Sequence, residues 1–133
     1  MKRTKNPAKE AEYRKRAADL VAQMTLHEKV SQMLSWAPAI ERLGIPAYNW
    51  WSEGIHGVGR AGTATVFPQA IGMAAAFDED MMEQVGNAIG VEARGKYNMC
   101  RAHGDRDIFK GLTVWAPNIN IFRDPRWGRG HET

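Results

Sequence analysis

Apolar side chains recur along this chain in two patterns, a helical spacing and short unbroken runs, and they alternate. From Ala8 to Met24, Ala11, Ala17, Ala18, Leu20, Val21 and Met24 gather toward one side among helix-forming residues, which predicts a helix. Thr25-Leu26-His27-Glu28 has the form of a capping box, so a second helix is expected from Thr25, with Leu26, Val30, Met33 and Leu34 at helical spacing and Pro38 as its stop. Leu43 to Pro46 makes a tight lead-in to a short apolar run, Ala47 to Trp51, read as the first strand. Gly59 to Thr65 is small and flexible, a loop by content. Phe67 to Phe77 is apolar with small residues inside it, the pattern of a close-packed short strand or turn. Asp78, followed by Glu79 and Asp80, caps a helix whose inner face is Met82, Val85, Ile89 and Ala93 and which extends to about Tyr97. Arg101 to Lys110 is polar and loop-like. Leu112–Trp115 and Ile119–Phe122 form the last apolar run, rich in β-branched and aromatic residues, as in a strand covered on both faces, with Pro117 limiting its pairing to one side.

Helices alternating with short buried strands, with little hairpin chemistry between them, predict βα units around a parallel sheet. In a (β/α)8 barrel the chemistry lies at the C-terminal ends of the strands. Glu53 and Arg129 both fall just past predicted strands, so two independent strands would aim charge at one face. Such a barrel needs about 250 residues, and the chain has 133. The residues leave two readings open: α/β, part of a TIM barrel with about three β/α units, or a smaller, different fold. The domain reading is a basic helix over 1–24 followed by barrel from 25 to 133.

The composition, 44% hydrophobic and 25% charged, is that of a soluble globular protein. The net charge of +3 is concentrated at one end: seven basic residues against Glu10 and Glu12 give +5 in the first sixteen positions, leaving −2 for the rest. No basic stripe crosses the body, and nucleic acid is not an expected partner. The single cysteine, Cys100, excludes an internal disulfide and reads as a small core residue. His103, Asp105 and Asp107 alternate, but no second cluster completes a metal shell, so neither metal nor cofactor is expected. No apolar stretch could span a bilayer and the N-terminus lacks an apolar signal core, which gives the expectation of a cytoplasmic protein.

The candidate chemistry clusters in two places. Arg123, Arg126 and Arg129, with Asp124, Trp127, Gly128 and Gly130, crowd the loop after the last apolar run. A guanidinium holds oxygens through a planar fork and an indole offers a flat apolar face, the pairing that a sugar requires. The alternative is structural: Arg123 pairing with Asp124, and Trp127 covering the strand end. In the second place, Glu53 and His56 sit among glycines just past the first strand, as a site or as a structural hydrogen-bonded pair.

PNINIFRDPRWGRGHET, together with LGIPAYNWWSEGIHGVGR at positions 43–60 and FPQAIGMAAAFD at positions 67–78, resembles the opening third of the barrel domain of glycoside hydrolase family 3, in its β-xylosidase and β-glucosidase group. The resemblance covers about positions 17–133. It implies a retaining, exo-acting β-glycosidase for β-linked xylo- or gluco-oligosaccharides, with this chain an N-terminal piece that works with the remainder of the same polypeptide. It places the nucleophile and acid/base beyond position 133, leaving no catalytic residue here. By motif match, Glu53 and Arg129 bind the sugar just before the scissile bond. Trp51 and Trp127 are candidates for ring contact, and His56 for a partner of Glu53. Gly54 stands where alanine is common. The competing class is a small non-catalytic carbohydrate-binding or interaction module.

Overall fold

The computed structural model describes residues 6–133, so Lys2, Arg3 and Lys5 of the basic stretch lie outside the described residues. The chain forms two compact units, one ending at Ala47 and one spanning Tyr48–Thr133.

In the first unit, α1 (Pro7–Gln23) starts where Pro7 occupies the first turn and the Asn6 side chain accepts from the Lys9 amide at 3.3 Å. It has no buried residue, and Tyr13 and Val21 are exposed. The capping box is present as expected: the Glu28 amide donates to Thr25 Oγ1 at 3.2 Å and the Thr25 amide to Glu28 Oε2 at 2.8 Å. Helix α2 (Leu26–Ser31) nevertheless stops well before Pro38. Ser31 Oγ donates back to the Glu28 carbonyl at 2.8 Å and Gln32 donates to the Pro38 carbonyl at 2.9 Å, so the turn is closed by side chains in place of further helical bonds. Arg42 binds the opposite side of the box, donating to Glu28 Oε1 at 2.9 Å and to the Gln23 carbonyl at 2.9 Å. A two-residue strand, β1 (Trp36–Ala37), precedes a tight loop in which Ile40 and Ile45 bridge across Gly44.

The second unit begins with β2 (Tyr48–Asn49), shorter than the expected first strand. The apolar run at Phe67–Phe77 is corrected to a helix, α3 (Ala70–Ala74), because an alanine-rich segment favours helix once one face, here Met73, is buried. Asp78 caps α4 (Glu79–Ala102) through the Met81 amide at 2.8 Å, and the helix continues past Tyr97 into the segment expected to be loop. Along α4, Val85, Ile89 and Ala93 are half-buried while Met82 is exposed. Glu92 and Lys96, one turn apart, hold the loop before α3: Glu92 accepts from Thr65 Oγ1 at 2.7 Å, and Lys96 Nζ donates to the Ala61 and Thr63 carbonyls at 3.2 and 2.7 Å.

The strand expected over 112–122 is the largest difference. Among the described residues it contributes one parallel bridge, Val114 to Ser52. Beyond Val114, Pro117 has no N–H for a ladder, the Asn120 amide turns back to Asn118 Oδ1 at 3.3 Å, and Arg123 Nη1 takes the Ile121 carbonyl at 3.3 Å. The backbone is satisfied locally, and the described fold is mostly helical.

Candidate functional site

The segments 48–53 and 109–115 lie side by side. The Phe109 amide donates to the Trp51 carbonyl at 2.8 Å and the Trp115 amide to the Ser52 carbonyl at 2.9 Å, while the Leu112 and Thr113 amides share Tyr48 Oη at 2.6 and 3.1 Å. Ser52 faces inward, buried, with its Oγ accepting from the Gly111 amide at 3.2 Å. Side chains alternate along an extended backbone, so burying Ser52 turns Trp51 and Glu53 to the other side. Trp115 joins them there: its ring lies 5.3 Å from Trp51, centroid to centroid, at 35°.

The loop after Phe122 folds as a chain of turns. Asp124 accepts from the Arg126 amide at 2.9 Å in an Asx turn, and its carbonyl accepts from Trp127 at 3.0 Å, with Pro125 pre-setting the bend. The Trp127 carbonyl then accepts from Gly130 at 3.3 Å, and the chain closes in a 3₁₀ turn, Gly130–Glu132, against which α3 packs. A Cβ on Gly130 would stand 2.6 Å from the Phe122 ring, so the glycine lets that ring lie against the turn.

These two constructions meet at an open cavity of about 370 Å³ lined by Trp51, Glu53, Gly54, Ile55, Trp115, Arg129 and Glu132. Glu53 is exposed, and its carboxylate has no hydrogen-bond or ion-pair partner among the described residues. Arg129 donates from Nε to Glu132 Oε2 at 2.8 Å and from Nη2 to the same oxygen. The hydrogen bond from Arg129 holds the Glu132 carboxyl below its ordinary range, against the opposing effect of burial. Trp51 and Trp115 are 42% and 56% exposed, wide enough open to offer their faces to a ligand.

Of the expected site residues, Glu53, Arg129 and Trp51 share this cavity. Trp127 does not line it; its ring stacks on Phe122 at 6.4 Å. Nor is His56 beside Glu53: its Nδ1 is 3.0 Å from the Phe67 carbonyl, whose own amide donates to the His56 carbonyl at 2.8 Å, so the imidazole ties loop to loop. The pairing of Arg123 with Asp124 is replaced by a two-pronged bond from Arg126 to Asp124, at 2.9 and 2.7 Å, which lowers the Asp124 pKa. Arg123 donates to the Asn120 side chain. Trp115 and Glu132 were not singled out in the sequence. The signal for Glu132 was its position three residues after an arginine at the cavity end of the loop.

The sequence profile described as the Glycosyl hydrolase family 3 N terminal domain matches residues 16–133. The chain is 53% identical over 129 residues to the probable beta-D-xylosidase 7 of Arabidopsis thaliana, covering 90% of this chain and 16% of that protein. It is 47% identical over 122 residues to the xylan 1,4-beta-xylosidase of Xylanibacter ruminicola, covering 90% and 14%. Against the beta-xylosidase/alpha-L-arabinofuranosidase 2 of Medicago sativa subsp. varia it is 45% identical over 128 residues, covering 89% and 16%. The chain thus spans 14–16% of the length of these relatives. The match over nearly all of the described residues shows that the chain belongs to glycosyl hydrolase family 3.

Proposed function

We propose that this chain supplies one wall of the sugar pocket of a retaining, exo-acting β-glycosidase, which removes β-linked xylose or glucose units from the ends of oligosaccharides. The relatives' names favour xylose. The observation that carries the reading is the cavity, where a carboxylate with no partner among the described residues, a guanidinium and two part-exposed indoles line one space. Glu53 accepts hydrogen bonds from ring hydroxyls, Arg129 donates to the same sugar, and Trp51 with Trp115 covers the C–H face. Hydrogen bonds to charged groups contribute about 1.5–3 kcal/mol each, enough to orient a pyranose once water is displaced.

The nucleophile and acid/base come from parts of the polypeptide outside this chain. A general acid needs a carboxyl whose pKa is raised, whereas Glu132 is held ionised by Arg129. The partial barrel belongs to the same proposal, with the parallel bridge between Ser52 and Val114 and α4 between them in the chain as its support, the order of a β-α-β unit. The test compares this chain with a polypeptide of its relatives' length carrying the same sequence, on aryl β-xyloside and aryl β-glucoside. Hydrolysis with retained anomeric configuration by the long form only is expected. Family-typical turnover by the chain alone would overturn the assignment of catalysis to other segments.

A further inference from the structure

Among the described residues, Arg129 is the one cation lining the cavity, and Glu53 and Glu132 are the carboxylates there. Opposite charges lining one cavity attract, and a guanidinium closed on the Glu53 carboxylate would leave neither group for the sugar. In the structure Arg129 is engaged by Glu132 instead. Arg129 caps the final 3₁₀ turn and Glu132 ends it, with the Glu132 amide donating to the Arg129 carbonyl at 3.0 Å. In 3₁₀ geometry the side chains at i and i+3 eclipse, so these two stand one over the other. The Nε edge of the guanidinium is therefore taken by Glu132 Oε2, while Nη1 makes no hydrogen bond among the described residues. The Glu132 side chain is 24% exposed and the Arg129 side chain 51%, the order expected if the carboxylate backs the guanidinium and the guanidinium fronts the cavity.

We infer that Glu132 is a positioning residue: it anchors the Nε edge of Arg129, presents the Nη1 side to the sugar, and keeps Arg129 from pairing with Glu53. This rests on the proposed sugar site. It adds a residue of the cavity wall whose role runs through Arg129, and α3 packs against the same turn.

The test is a double-mutant cycle in the full-length polypeptide, read as kcat/KM on an aryl β-xyloside with a good leaving group. Glu132→Ala lowers kcat/KM about tenfold or more when Arg129 is present, the equivalent of about 1.4 kcal/mol. In an Arg129→Ala background the same change costs less than about twofold, because residues acting as one unit are not additive. Added formate, a carboxylate small enough for the vacated place, raises the rate of Glu132→Ala and not that of the wild type. Circular dichroism confirms folding, and if Glu132→Ala does not fold, Glu132→Gln takes its place in the cycle under the same thresholds. Equal losses in both backgrounds, or near-wild-type kinetics for the Glu132 variant, would overturn the inference while leaving the sugar site standing. Near-wild-type kinetics for Arg129→Ala itself would remove the proposed site, and this inference with it.

Discussion

Substituting Gly57 by alanine probes the loop that follows Glu53. Gly57 has φ +129°, and a Cβ built there would lie 2.3 Å from the Thr65 carbonyl oxygen and 3.5 Å from Val66 Cα. Carbon and oxygen approach no closer than about 3.3 Å, so the Thr65 carbonyl would have to withdraw by about 1 Å. It is poorly placed to do so, since Glu92 accepts from both the Thr65 amide, at 3.1 Å, and its hydroxyl, at 2.7 Å. Two residues on, Phe67 exchanges bonds with His56 at 2.8 and 3.0 Å, and these would be strained as well. Backbone strain of about 1–3 kcal/mol, with about 0.5–1.5 kcal/mol for each of the two strained bonds between His56 and Phe67, gives about 2–6 kcal/mol for Gly57→Ala. Gly104 is the internal control: its φ is +73° with no atom within 4 Å of a built Cβ, so Gly104→Ala carries only the conformational term, about 1–2 kcal/mol. Thermal melts followed by circular dichroism compare the two, at roughly 4–8 °C for each kcal/mol in a domain of this size. Equal shifts for Gly57→Ala and Gly104→Ala would refute the steric argument.

Other parts of the structure make separate predictions. Arg42, and then the Thr25 amide, lower the Glu28 pKa from 4.5 to about 2. A carboxylate depressed on folding stabilises above its unfolded pKa, so the helical signal of the first unit should weaken as pH falls from about 4.5 toward 2, and Glu28→Gln should flatten that dependence. A pH response unchanged by the substitution would show that the clamp contributes nothing. Tyr48→Phe leaves the Leu112 and Thr113 amides without their acceptor and should cost about 1–3 kcal/mol in denaturant melts; no loss would mean that water replaces the hydroxyl. Trp51→Leu and Trp115→Leu should each raise KM about three- to tenfold through lost ring contact. Trp127→Leu should leave KM unchanged, its ring being stacked on Phe122; a larger effect at Trp127 than at Trp51 would reverse the assignment of the sugar-facing wall.

Local chemistry was the legible part of this sequence. The capping box at Thr25, the Asp78 cap and the long helix after it follow from side chains bonding their own backbone within a few residues, and the structure has all three. What depends on neighbours was harder to read. Ile119–Phe122 has the composition of a strand, but pairing needs a partner, and among the described residues only Val114 finds one. Phe67–Phe77 has small residues that suit a tight strand and a helix equally, and burial of Met73 decided for helix. The same holds for the site. Glu53 and Arg129 were visible as charges past apolar runs, whereas Trp115 reaches the cavity through the register set by the Ser52 bridge, and register is not written in composition. His56 lies three residues from Glu53 in sequence, yet its ring is committed to Phe67 across the loop.

The central claim is that Glu53 and Arg129 hold the same sugar ring, and steady-state kinetics of Glu53→Gln and Arg129→Lys in the full-length polypeptide address it most directly. With folding intact by circular dichroism, each substitution should lower kcat/KM on an aryl β-xyloside by about tenfold or more, since each removes a charged or forked contact to the substrate. Near-wild-type values for both would contradict the claim and leave the two charges as supports for the segments that carry them.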